Sequence, residues 1–350
     1  MKPIFFLFLA IIPNLLHAAT WTVDNNAARP ADFRTIQDGI DAASIGDTLL
    51  IAGSGTFYNG FTVTKRLNIK GPGNTVVGGG PARINGLVTL TSVTDPTSVH
   101  HGRAASGSVL ESLIFYTGGS NLIVETTCSN VTLKRLANFG EIQIRGGSGS
   151  VVIGCWINQL ISAGATNLRV AGSRIELYLV SPTGDNQIFE NCIIGAKTNV
   201  GPPLAGSSSI LNYPVFRNTI FVSGTPVGSA IYSYQGAQFD HCMAIGYAAL
   251  PIGNGNVSLA HDEYQNVFVD FDGNTNTSDK EINSPGFRLK PGSPAIGAGK
   301  NGMDLGIFSG TAPYVIGVIP GLPRITEIIL PAVAPDSVGL TFEVHAEARD

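Results

Sequence analysis

Short runs in which apolar and polar residues alternate recur along the chain, and three of them resemble one another. Phe189–Ile194 reads FENCII, Phe216–Phe221 reads FRNTIF and Phe239–Ala244 reads FDHCMA. Aligned on Cys192, the equivalent positions are Leu113, Leu136, Cys155, Ser173, Cys192, Thr219 and Cys242, separated by 23, 19, 18, 19, 27 and 23 residues. Three residues before each stands Leu110, Leu133, Val152, Val170, Phe189, Phe216 or Phe239, all apolar. Two residues before stands Glu111, Lys134, Ile153, Ala171, Glu190, Arg217 or Asp240, mostly charged or small. This is the period-2 pattern of a strand with one face buried. Propellers and helical arrays keep tighter periods and carry signatures absent here. Short strands, Gly/Asn corners and loops of variable length instead predict a parallel β-solenoid, its coils stacked about 4.8 Å apart.

Within such a solenoid Phe189, Phe216 and Phe239 form an interior stack. Asn191 and Asn218 fall at a corner, where Asn tolerates left-handed backbone and can ladder its amide with the next coil. His241 replaces the Asn in the coil after, where the ladder ends. Cys192, Thr219 and Cys242 then continue inward as small residues. Cys155, Cys192 and Cys242 share one column at intervals of two coils, about 10 Å, beyond disulfide reach. Cys128 lies in another column, so four buried free thiols are expected.

Composition supports β structure. Of 350 residues 43 are Gly and 13% are charged, and no long amphipathic heptads occur. A net charge of −4 gives no basis for binding nucleic acid or an anionic membrane. At the N-terminus Lys2 precedes an apolar run over Pro3–Leu16, and Leu16-His17-Ala18 offers a small residue at a cleavage point. Residues 1–18 are therefore read as a secretory signal peptide. No later segment is apolar and long enough to span a bilayer, so the mature chain is expected to be secreted or at the cell surface, with a periplasmic location also open.

Phe33–Gly73 carries Thr35-Ile36-Gln37, then Gly46-Asp47-Thr48, then Gly55-Thr56-Phe57. This order resembles the opening of right-handed parallel β-helix proteins of the pectate-lyase-like superfamily. There a Thr-Ile-Gln start introduces a capping helix, followed by a Gly-Asp-Thr turn, a strand and a Gly-Thr-aromatic turn. The usual Pro-Gly-Thr is here Gly53-Ser54-Gly55-Thr56. Phe287–Phe308, with PGSPAIGAG, is similar to the closing coil of bacterial secreted β-helix proteins. The resemblance implies an all-β, right-handed parallel β-helix over residues 19–317, of about 11 coils at the mean spacing over residues 47–290. Ile36, Ile40 and Ala43 give its cap an apolar face. Residues 318–350 read as a Pro-rich linker and a terminal hairpin, with strands near Ile325–Leu330 and Leu340–Ala348, too short to fold alone.

The fold hosts lyases, hydrolases, esterases, adhesins and inert scaffolds, so activity must be read from residues. Members acting on acidic polysaccharides need a basic side chain to take a proton beside a uronic carboxylate, with Arg, Lys or Ca²⁺ to hold the developing charge. Cys155–Leu160 reads CWINQL, with Asn158 and Gln159 where pectate lyases have an acid and a histidine. The signature motifs of polygalacturonases and pectin methylesterases are absent. Glu190, Arg217 and Asp240 fall on successive coils as an outward row, either a cross-strand ion-pair ladder or a site for a uronide. Tyr232 and Tyr234 share a strand face and could stack on sugar. His100 and His101 sit in a Gly/Ser/Thr/Pro loop and read as exposed. Asp270, Asp272, Asn274, Asn276, Ser278 and Glu281 place oxygens at the alternating positions of a Ca²⁺ loop, although Thr275 stands where Gly is expected. Two functions stay open. One is a non-catalytic glycan-binding or scaffold protein, monomeric, with polysaccharide or surface glycan as partner. The other is a polysaccharide-degrading enzyme, most naturally a uronide lyase.

Overall fold

The computed structural model describes residues 18–74, 80–116, 121–180, 184–195, 204–205, 214–222, 237–246, 250–269, 287–319, 324–329 and 343–347. Ten parallel strands form a first face, from Thr20–Val23 and Thr48–Ile51 through Asn68–Lys70, Val109–Glu111, Thr132–Lys134, Val151–Ile153, Arg169–Ala171, Ile188–Glu190 and Val215–Arg217 to Gln238–Asp240. A second sheet of fourteen strands bends where its register shifts, between Asn138 and Glu141 and between Ile157 and Gln159. The bend gives each full coil a second and a third face. Every ladder in these sheets is parallel and joins successive coils, and the chain is a right-handed parallel β-helix. Among the described residues the stack begins before the capping helix rather than after it, and it ends with Val257–Leu259 on the second face.

The inward column is as the alternation requires. Leu110, Leu133, Val152, Val170, Phe189, Phe216 and Phe239 are buried and in register. Phe189, Phe216 and Phe239 stack at 5.1 and 5.4 Å between ring centroids, with Phe221 set edge-on to Phe216. All four cysteines are buried and unpaired. Burial pushes the thiols of Cys155, Cys192 and Cys242 up to about 12.

The corner between first and second faces is a column of left-handed residues. Ser112, Arg135, Gly154, Gly172, Asn191, Asn218 and His241 all have φ between 47° and 60°. One such residue between two extended ones turns the chain sharply, and the ladder continues through the turn. Ser112 N donates to Lys134 O, Arg135 N to Ile153 O, Asn191 N to Arg217 O and Asn218 N to Asp240 O. Asn191 and Asn218 do not ladder with each other, because their amides are used elsewhere. An amide ladder does form at another corner, where Asn186 Nδ2 donates to Asn167 Oδ1 at 3.2 Å and Asn167 Nδ2 to Ser148 Oγ at 3.0 Å.

Thr35 caps the helix Ile36–Ala42 by accepting from Asp38 N. Gly39 packs so closely that a Cβ there would stand 2.8 Å from Leu49 Cδ2. Ile36, Ile40 and Ala43 are buried against the first rungs, as the helical spacing requires.

The segment expected to form a closing coil is something else. Among the described residues 287–319 add no strand to either parallel sheet. They pass back along the outside as a strap. Phe287, Leu305, Ile307 and Tyr314 cover Ile114, Ala137, Trp156, Ile193, Ile220 and Met243, the outward residues of the second face. Lys300 meets Asp240, Gly306 N meets Asn218 O, a Cβ on Gly172 would clash with Ala312 O, and Asn74 N meets Gly317 O. The strap thus crosses coil after coil toward the N-terminal end. Beyond it Arg324–Ile329 and Glu343–Glu347 pair antiparallel as the expected hairpin.

Candidate functional site

Glu190, Arg217 and Asp240 are in register on the first face and half-buried, as the outward row predicts. They do not form a simple ladder. Arg169 Nε donates to Glu190 Oε1 at 2.5 Å. Asp240 is held by Lys300 Nζ at 3.0 Å on one oxygen and by His241 Nδ1 at 2.7 Å on the other. Burial by itself would raise the Asp240 carboxyl, but the hydrogen bonds and charges of His241 and Lys300 hold it below the usual range. Arg217 therefore stands between two carboxylates that other cations already occupy. Among the described residues its ion pair is a 4.0 Å approach of Nε to Asp240 Oδ2, too long for a hydrogen bond.

Arg169, Glu190, Arg217 and Lys300 line a cleft of about 350 Å³ between the first face and the strap. Arg169, Arg217 and Lys300 supply three cations to it against the carboxylate of Glu190, and Lys300 is bonded in turn to Asp240. Asn191 and Asn218 fix the strap wall, Asn191 Nδ2 donating to Ser309 Oγ at 2.8 Å and Asn218 Oδ1 accepting from Lys300 N at 2.8 Å. Arg169 also reaches Thr311 Oγ1 at 3.2 Å. Of the expected row Glu190 and Arg217 line this cleft, while Arg169, Lys300 and Thr311 were not foreseen. Arg169 was legible as an outward residue two positions from Ala171. Lys300 and Thr311 were not, because they arrive on the strap.

A second cluster on the same face is structural. Glu111, 5% exposed, gathers Lys70 at 3.7 Å, Lys134 at 3.3 Å and Arg135 at 3.8 Å. On the second face Phe57, Tyr116, Phe139 and Trp156 form an aromatic row with centroid separations of 5.6, 5.2 and 6.2 Å. Trp156 is buried at one end of it, under Arg174, whose guanidinium lies 4.5 Å from its ring and 4.1 Å from that of Phe287. His100 and His101 are exposed. Tyr232, Tyr234 and the oxygen-rich loop from Asp270 to Glu281 lie outside the described residues. Among the described residues no group of three or more His, Cys, Asp or Glu is placed to hold a metal ion, and no helix is long and apolar enough to cross a membrane.

Stacked parallel coils of this kind define the class: the chain has a right-handed parallel β-helix fold. Among solved structures it is similar to the crystal structure of pectate lyase Pel9A, at 14% identity over 87% of this chain and 96% of that one, with a TM-score of 0.45. No protein-family model matches the sequence, and no curated protein does. A likeness of this size leaves activity to be argued from this chain's own residues.

Proposed function

We propose that this is an exported β-helix protein that binds an acidic polysaccharide through the cleft beside Arg217, without cleaving it. The observation that carries the reading is Arg217 itself. Its neighbours Glu190 and Asp240 already pair with Arg169 and Lys300, so its guanidinium remains available to an incoming carboxylate. Arg presents paired donors that match a carboxylate geometrically. The site opens on a face that continues along the solenoid, a shape suited to a chain rather than a compact ligand. A uronide lyase would draw on the same three cations, since β-elimination needs the uronic carboxylate's charge held while a proton leaves the adjacent carbon.

Residues 19–350 should be tested for binding to pectate, alginate, chondroitin and hyaluronan by affinity electrophoresis or calorimetry, with absorbance at about 235 nm followed in parallel for elimination products. Binding to one polymer, weakened by salt and reduced roughly tenfold or more by Arg217→Ala, with a flat absorbance trace, is the expected result. A rising trace would make the protein a lyase instead. Arg217→Ala binding as tightly as wild type would remove this cleft from the account.

A further inference from the structure

Asp47 heads the second strand of the first face and is 4% exposed. Its Oδ1 accepts from Ala19 N at 2.7 Å, and its Oδ2 from Trp21 Nε1 at 3.0 Å and Ser44 N at 2.8 Å. Burial alone would raise this carboxyl. The three donors and the charge of Lys65 outweigh it and hold Asp47 below the usual range, ionised at neutral pH. One of those donors is the nitrogen at which the sequence places the end of the signal peptide.

We propose that hydrolysis of the Ala18–Ala19 bond creates an α-ammonium on Ala19 that ion-pairs with Asp47, so that export processing completes the first rung of the solenoid. In that step an endopeptidase of the export machinery adds water across the bond. The hydroxyl goes to the Ala18 carbonyl carbon and the C–N bond breaks; the nitrogen takes up the water's other proton and then the proton that the new Ala18 carboxylic acid releases, leaving a carboxylate on the signal peptide and an ammonium on Ala19. A hydrogen bond from a neutral amide then becomes a charge-assisted one, shorter-ranged in geometry and stronger in energy.

The local geometry favours this bond over its neighbours. Ala19 O accepts from Thr48 N at 2.8 Å, and the parallel pairing starts at Thr20 opposite Thr48. A cut one residue later would remove both the donor to Asp47 and the acceptor for Thr48 N. A cut one residue earlier would leave Ala19 N an uncharged amide. Ala18 is exposed at the edge of a pocket of about 600 Å³, which can solvate the remaining ammonium protons. Lys65, Arg66, Arg103 and His100 face that pocket, with Asp41. Lys65 is already bound to the carbonyls of Asp41 and Ala43. An added positive charge in such surroundings depends on its direct contact with Asp47.

The protein recovered from an exporting host should first be read by intact mass and N-terminal sequencing. Ala19 as the first residue is expected, and any other start overturns the proposal. Thermal unfolding then compares four chains: the Ala19 chain and an unprocessed form retaining Ala18, each with Asp47 and with Asp47→Asn. The Asn substitution should lower Tm by about 2–4 °C more in the Ala19 chain than in the extended one. Equal losses would make Asp47 an ordinary backbone acceptor and end the idea. Where Asp47→Asn does not fold, acetylating the α-amino group of the wild-type Ala19 chain removes the charge and keeps the N–H. That chain should also melt lower, and an unchanged Tm counts against the ion pair.

Discussion

Cys192 N donates to Thr219 Oγ1 at 3.3 Å, Cys155 N to Ser173 Oγ at 3.1 Å and Leu136 N to Cys155 Sγ at 3.4 Å. After these corners, and at Cys242 N with Asn256 Oδ1, the residue has its N–H satisfied by a side chain of the next coil, because the turn carries that group off the ladder. Small size alone would allow Ala in this column; the hydrogen bond explains why Ser, Thr and Cys stand there. Thr219→Val keeps the shape and deletes the acceptor, leaving Cys192 N buried and unmade. A loss of about 1–3 kcal/mol in urea unfolding is expected, with Thr219→Ser close to wild type. The sequence showed the column and its inward direction, but not the bond, since hydrogen bonding across coils depends on the register. Left-handed geometry was similarly legible at Asn191 and Asn218, residues that tolerate it. It was not legible at Ser112 and Arg135, which adopt it because their coil neighbours' carbonyls are waiting at the corner.

At the scale of elements, the second face announces its burial by breaking the alternation. Ile193-Ile194, Ile220-Phe221-Val222 and Met243-Ala244-Ile245 are apolar on both sides, and both sides are covered, one by the core and one by the strap. That something had to cover the outer side was therefore readable. What covers it was not, because Phe287–Phe308 resembles a coil in its motif and packs as a strap in its contacts. The cleft inherits the same opacity: Arg169 and Thr311 touch across 142 positions of sequence. Gly172 is the tightest point of the crossing, with φ at 54° and a Cβ site 1.9 Å from Ala312 O. Gly172→Ala should lift the strap locally while leaving the sheets paired. Faster amide exchange or protease cutting over residues 304–314, together with weaker polysaccharide binding through the lost cleft wall, is the expected outcome. Exchange confined to the first-face strands would show that the strap is not what Gly172 accommodates.

The fastening of that strap at its C-terminal-coil end responds to acid. Asp240 has a depressed carboxyl through His241 and Lys300, so its contribution is present above the unfolded value of about 3.9 and is lost as pH falls through the lower folded value. Protection of the amides around Lys300 should therefore fall below about pH 4, and Asp240→Asn should show the same loss already at pH 5. At the scale of the whole molecule the strap changes the kind of cooperativity available. Coils of a solenoid touch only their neighbours, so an unbraced stack unfolds piecemeal from its ends. Here the strap meets rungs from Asp240 back to Gly73, eight of the ten first-face strands, a span of about 34 Å at about 4.8 Å per coil. Opening any coil beneath it exposes apolar surface on two sides and strains the crossing segment. One sharp urea transition, coincident by fluorescence and circular dichroism, is expected for the wild type. Loosening the crossing with Gly172→Ala and Asn218→Ala together should broaden the transition and lower the m-value, because less surface is then released in a single step. An unchanged slope with a lower midpoint would mean that the coils hold one another without the brace.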